Sequence, residues 1–199
     1  MLKVGITGGI GSGKTVVCRI FQNLGIPIYH ADTEAKQLYF THEGLKNELI
    51  RNFGSEFYLS DSEINKSFAR KLLQDNQTRD LFNGIVHPKV FEHFETWVSV
   101  QRTPYVIKEA AILFESGANK TVDFVIGVIA PDALRIRRVM ERDHLEEIEV
   151  RKIMALQLSN QELSSKCQLM IQNDEQHSVI HQVKAIHEKL LDKSAHFIS

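Results

Sequence analysis

Eight consecutive residues, Gly8-Gly9-Ile10-Gly11-Ser12-Gly13-Lys14-Thr15, have the spacing GxxxxGK[ST], which is that of a phosphate-binding P-loop. Glycines let the backbone turn through conformations closed to other residues, so successive N–H groups can converge on phosphate oxygens. Lys14 would reach the β- and γ-phosphates of a nucleotide, and the Thr15 hydroxyl would serve Mg²⁺. A helix starting near Gly13 would point its positive end at the same anion. The context fits, with the apolar run Lys3-Val4-Gly5-Ile6-Thr7 before the loop and Val16, Val17, Ile20, Phe21 and Leu24 at helical spacing behind it.

Three further groups could carry chemistry. Asp32 follows the apolar run Ile26-Pro27-Ile28-Tyr29, at the strand end where open α/β sheets place ligands. It could orient or deprotonate a hydroxyl attacking the γ-phosphate, hold a Mg²⁺-bound water, or cap a helix starting at Thr33. Arg135, Arg138 and Arg142 stand at i, i+3 and i+7 and so share one helix face, suited either to a triphosphate or to solvent beside Glu141, Asp143, Glu146, Glu147 and Glu149. His87-Pro88 reads as a helix start, with Pro88 in the first turn and His87 in the cap region. His87 could hydrogen-bond a phosphate or ribose of a substrate.

These groups need a scaffold. Buried parallel strands are predicted from the runs Ile26–Tyr29, Tyr105–Ile107, Phe124–Ile129 and Leu169–Ile171, together with the run before the loop. Helical patterns lie between them, one opened by Pro131 and Asp132 and another spanning Glu175 to Leu191. The fold expected is α/β, a doubly wound parallel sheet of about five strands. The gap between the second and third strands far exceeds one crossover helix. Its periodicity predicts helices over Glu43–Phe53, Lys66–Leu73, Asn76–Phe82 and Pro88–Val100, making residues 33–100 a helical substrate-binding lobe. Residues 135–165 would form a charged helical lid, and residues 1–32, 101–134 and 166–199 the nucleotide-binding core.

The chain has 199 residues and a formal net charge of −1, which suits one compact enzyme and excludes a general nucleic-acid binder. No apolar stretch approaches a membrane span, and Met1-Leu2-Lys3-Val4 runs straight into the first strand, so a cytoplasmic protein is expected. The sequons at Asn65, Asn76 and Asn119 are then chance matches. Cys18 and Cys167 form neither a CxxC pair nor a metal-ligand spacing and read as free thiols. His177 and His181, at i and i+4, lack a patterned third zinc ligand. Nothing in the pattern specifies an oligomeric state.

Gly5 to Thr15, Asp32, His87-Pro88, Leu113-Phe114-Glu115, Arg138, Arg142-Asp143, Gln157 and Ile171 to Asn173 together resemble the dephospho-coenzyme A kinases. The resemblance spans most of the chain, and Thr-Gly-Gly-Ile-Gly-Ser-Gly-Lys is narrower than a generic loop. It implies a P-loop NTPase-type core with a coenzyme A lobe and a lid. The activity implied is transfer of the ATP γ-phosphate to the ribose 3′-hydroxyl of dephospho-coenzyme A, with Mg²⁺. Gly8, Gly9, Gly11, Ser12, Gly13, Lys14, Thr15 and Val16 would bind ATP, together with Arg138 of the lid and Asn173 of the adenine-contacting loop. Thr7, Asp32 and His87 would serve the acceptor, Thr15 the metal, and Asp32, Lys14, Arg138 and Arg142 the chemistry. Two departures stand out: His30-Ala31-Asp32 where the family commonly has Asp-Ala-Asp, and Ala111 where a proline is usual, with Glu109 just upstream.

A nucleoside monophosphate kinase would share the core, the insertion and the arginines but has a different loop. A GTPase switch would need Asn-Lys-x-Asp, and Asn119-Lys120-Thr121-Val122-Asp123 places its aspartate one residue late.

Overall fold

The computed structural model describes residues 1–72 and 74–196. Leu73, placed by periodicity at the end of one helix, and residues 197–199 of the expected core segment lie outside the described residues. The chain divides into two compact units, Met1–His30 with Gln101–Ser199, and Ala31–Val100.

The first unit is built on a parallel sheet of five strands: β1 (Leu2–Thr7), β2 (Ile28–His30), β5 (Tyr105–Glu109), β6 (Phe124–Ile129) and β7 (Leu169–Gln172), ordered β2-β5-β1-β6-β7. The central strand, β1, has Leu2, Val4 and Ile6 fully buried, as a strand covered on both faces must. The order reverses direction at β1, where chain connections leave on opposite sides, so a crevice opens beyond the carboxyl ends of the strands. Helices α1 (Lys14–Asn23) and α9 (Val179–His196) meet on one face. There Val17, Cys18, Phe21, Val183, Ile186 and Leu190 join the strand residues in one apolar cluster, each fully buried large side chain contributing roughly 1.5–3 kcal/mol. Helices α6 (Asp132–Asp143) and α7 (Glu147–Met154) form a smaller cluster from Ile136, Val139 and Val150, onto which Ile10 packs. Helix α8 (Asn160–Lys166) starts with a capping box between Ser159 and Glu162.

Within this core, Tyr105 is fully buried and its hydroxyl lies 2.6 Å from His187 Nδ1. Burial pulls the His187 pKa below the ordinary histidine value of 6.5, opposed by the Glu188 carboxylate. The unfolded chain therefore binds this proton more readily than the folded one, so stability falls as pH drops below 6.5. Circular dichroism melts between about pH 7.5 and 5.5 should show a midpoint slope that His187→Gln flattens by about 1–3 °C. Parallel slopes for the two proteins would contradict this role for His187.

The second unit contains α2 (Ala31–Thr41), α3 (Glu43–Phe53), the hairpin β3 (Tyr58–Ser60) and β4 (Glu63–Ile64), α4 (Lys66–Leu72) and α5 (Asn76–Ser99). Its core is aromatic: the Phe53, Phe57 and Phe82 rings lie 5.9–6.2 Å apart. Three expectations are corrected here. The two helices predicted around Pro88 are one helix, α5, with Pro88 inside it. A missing N–H at an interior proline weakens a helix, but buried Phe82, Ile85 and Val86 before it and Val90, Phe94 and Val98 after it supply packing that outweighs that loss. His87 is thus not in a cap region; it is half-buried and stacked on Phe91, ring centroids 6.1 Å apart. Asp32 is not the cap of a helix starting at Thr33, because α2 begins at Ala31 and Asp32 sits exposed in its first turn. The insertion also carries the antiparallel β3–β4 hairpin among its helices.

One boundary in the first unit also shifts. Helix α9 starts at Val179, not Glu175; Asp174 accepts from the N–H groups of Gln176 and His177 and closes a turn there. Glu175 takes a positive φ of 68° beside it. Among the described residues no helix is long and apolar enough to cross a membrane.

Candidate functional site

Beyond Thr7, itself 2% exposed, the loop from Gly8 to Gly13 turns under the start of α1. Each of its carbonyl groups has a donor. Gly8 O accepts from Lys14 Nζ, Gly9 O from the Ser12 N–H at 3.1 Å and Ile10 O from Arg135 Nε at 3.0 Å. Gly11 O faces Arg138 Nη1 at 3.5 Å, Ser12 O accepts from Asn173 Nδ2 at 2.9 Å, and Gly13 O accepts the Val16 N–H at 3.0 Å. The N–H groups of Gly11, Gly13 and Thr15 have no acceptor among the described residues, and a ring of unpaired donors over a helix start attracts an anion.

The backbone reaches this shape through Gly11 at φ 76° and Gly13 at φ 92°. A side chain at Gly11 would strike the Arg135 backbone, and one at Gly13 would strike Asn173. Gly13 is the N-cap of α1 in the left-handed region with no side-chain cap bond, so the helix offers its first N–H groups outward. The Ser12 hydroxyl is buried without a hydrogen-bond partner among the described residues.

Two segments distant in sequence close around the loop. Asn173, just after β7, donates its own N–H to Ile129 O at 2.8 Å, and its carbonyl accepts from Arg138 Nη1 at 3.2 Å. Glu175 takes Arg138 Nη2 at 3.3 Å and Arg137 Nη2 at 3.1 Å. From the segment after α7, Gln157 Oε1 accepts the Ile10 N–H at 2.8 Å. Gly8 to Val16, Arg138 and Asn173 therefore come together.

The arginine row divides. Arg135 is 3% exposed and tied to the loop and to Asp132, so it is not part of a solvated face. Burial lowers its pKa, and the Asp132 carboxylate opposes the shift. Arg138 lies partly buried against Asn173. Arg142 turns to Asp143 at 2.6 Å with 62% of its side chain exposed, away from the loop. Asp32 and His87 belong to the second unit and are described there.

At the carboxyl edge of the sheet, His30 of β2 is in register with Glu109 of β5, their side chains 3.3 Å apart. The Glu109 carboxylate and the Lys14 ammonium both act on the buried Cys18 thiol. Burial pushes that thiol up to about 12, Glu109 adding and Lys14 opposing. Glu109 thus supplies a carboxylate beside the histidine that stands where the family commonly has aspartate.

A magnesium ion would find oxygen donors suited to it, the exposed Thr15 hydroxyl in the first turn of α1 and the Glu109 carboxylate at the end of β5. Among the described residues no cluster of three or more His, Cys, Asp or Glu could hold a metal alone. His177 is committed to Asp174, 2.8 Å away. Asp123, of the near-miss guanine motif, accepts the Lys3 N–H at 2.8 Å and fastens β1.

The sequence places Arg135 in the arginine row but not against the loop, and it gives Glu109, Glu175 and Gln157 no role in the site. Gln157 had a signal as one of the landmarks of the resemblance, and Arg135 had its spacing from Arg138. Glu175 had none, since its partners lie far away in sequence.

The family model described as dephospho-CoA kinase (CoaE) matches residues 2–178. A dephospho-CoA kinase of Salinibacter ruber is 36% identical over 178 residues, covering 87% of this chain and 89% of that one. The crystal structure of TT1252 from Thermus thermophilus superposes with a TM-score of 0.81 at 26% identity, covering 96% of this chain and 97% of that one. The dephospho-CoA kinase from Campylobacter jejuni shares the fold, with a TM-score of 0.66 at 18% identity and coverage of 96% and 98%. The loop, the order of the sheet and a family match running from the first strand to the last turn before α9 agree, and the chain belongs to the dephospho-CoA kinase family.

Proposed function

We propose that this kinase transfers the γ-phosphate of ATP to the ribose 3′-hydroxyl of dephospho-coenzyme A, completing coenzyme A in the cytoplasm. The observation that carries the reading is the loop from Gly8 to Gly13, whose carbonyls are each held by a donor while the N–H groups of Gly11, Gly13 and the following Thr15 stay open, in a chain matched to the family over residues 2–178.

Phosphoryl transfer demands positioning and charge stabilisation more than covalent chemistry. Gly8, Gly9, Gly11, Ser12, Gly13 and Val16 shape the ATP phosphate cradle, and Lys14 neutralises charge on the transferred group. Arg138 and Asn173 border the nucleotide. Thr15 is the protein ligand of Mg²⁺, which when bound neutralises phosphate charge, and Glu109 is a second oxygen donor for it. Residues 33–100 form the acceptor lobe; Asp32, just before it, orients or deprotonates the 3′-hydroxyl, and His87 and Thr7 contact the acceptor. Residues 135–165 act as a lid that brings Arg142 to the reacting phosphate.

The arginines give a graded expectation. Arg138→Ala removes a group already beside Asn173 and Gly11 and should cut kcat by about 10- to 100-fold. Arg142→Ala should act on kcat only, by about 3- to 10-fold, because its side chain must swing in from Asp143 when the lid closes. Steady-state kinetics on both variants check this, and an unchanged kcat for both would return the row to a solvent-facing role.

The reading is tested by measuring phosphate transfer from ATP and from GTP, side by side, to dephospho-coenzyme A and to nucleoside monophosphates. ATP with dephospho-coenzyme A should give the highest kcat/KM. A higher value with a nucleoside monophosphate, or a preference for GTP, would overturn it.

A further inference from the structure

Arg135 is buried deeper than Arg138 or Arg142 and touches three loop residues in succession. Its Nη2 is shielded from solvent, lacks a hydrogen-bond acceptor among the described residues and is turned to the place a Gly9 side chain would occupy. Its Nε donates to Ile10 O at 3.0 Å. Its own backbone lies against Gly11. Nη1 donates to Asp132 Oδ1 at 3.1 Å. A guanidinium taken this far out of water is costly unless its fork is engaged, and an apolar side chain would fill the same space at less expense.

The need for it lies in the loop. A carbonyl dipole turned into the cradle would repel phosphate, and no backbone bond within the loop holds Ile10. Both backbone groups of Ile10 are held by distant side chains instead, the N–H by Gln157 and the carbonyl by Arg135. The Ile10 side chain rests on the α6–α7 cluster. We propose that Arg135 is a positioning residue for nucleotide binding, keeping the Ile10 carbonyl turned out of the phosphate cradle and fastening the loop to α6. The inference rests on the loop being the ATP site.

Arg135→Lys and Arg135→Gln separate positioning from charge and from filling. Lysine keeps the cation but cannot hold Ile10 O and Asp132 together as the planar fork does, and glutamine loses the charge. By calorimetric titration, both variants should bind ADP at least about tenfold more weakly than the wild type. In the assay, KM for ATP should rise by a similar factor while kcat falls less and KM for dephospho-coenzyme A stays within about twofold. Wild-type affinity in Arg135→Lys would overturn the proposal in favour of charge alone. Wild-type affinity in both would reduce Arg135 to filling. If neither variant folds, the Arg135 Nε–H signal in ¹⁵N NMR of the wild type decides: it should be protected from exchange before nucleotide is added and shift with ADP, and a rapidly exchanging or unmoved signal overturns the proposal. Failure of the wild type itself to bind ADP would instead sink the ATP-site reading.

Discussion

Lys14→Ala should lower turnover by at least about 100-fold while leaving the fold intact. The ammonium sits on the Gly8 carbonyl and acts on the Cys18 thiol from the edge of the cradle. Its loss frees one carbonyl at a partly exposed position, which water can take up, so the melting midpoint should move by no more than about 2 °C. During transfer the same loss leaves charge on the γ-phosphoryl oxygens without its nearest fixed cation. Circular dichroism and steady-state kinetics measured together check both halves. A folded Lys14→Ala protein turning over near the wild-type rate would remove the phosphate-binding assignment of the loop.

Asp32→Asn should cut phosphoryl transfer by about 10²- to 10⁴-fold with ATP affinity nearly unchanged. The side chain is exposed in the first turn of α2. There an amide keeps its size but loses the favourable interaction of a negative charge with a helix start, about 0.3–1 kcal/mol. The expected outcome is therefore a small loss of stability with a large loss of rate. Titration with ATP, a thermal melt and single-turnover transfer resolve the three quantities. A destabilised variant that still transfers phosphate at the wild-type rate would make Asp32 a contributor to α2 and nothing more.

Much of the core was legible because its strands are continuous apolar runs. Phe124–Ile129 was bounded correctly, since a strand buried on both faces shows no alternation to confuse. The same holds for α3, whose buried Leu45, Leu49 and Phe53 recur at helical spacing. Helix α5 was broken in two by reading Pro88 locally, when the tertiary packing of residues on either side carries the helix through it. The β3–β4 hairpin escaped notice because its strands are two or three residues long and mostly exposed.

The site divided along similar lines. The loop announces itself by local spacing. The burial of Arg135 does not, because charge patterning says which residues share a helix face but not whether that face meets solvent or a loop 125 residues away. The pairing of His30 with Glu109 depends on β2 lying beside β5, which sheet order alone decides. Arg142 was grouped with Arg138 by spacing, yet Asp143 next to it in sequence provides a bidentate partner that holds it outward.

The central claim is the identity of acceptor and acceptor atom. The purified protein, incubated with ATP, Mg²⁺ and dephospho-coenzyme A, should release one ADP per acceptor consumed, with ³¹P NMR of the product showing one new phosphomonoester on the ribose 3′-oxygen. ADP release without a new phosphomonoester, or a phosphate on any other oxygen, would contradict the account.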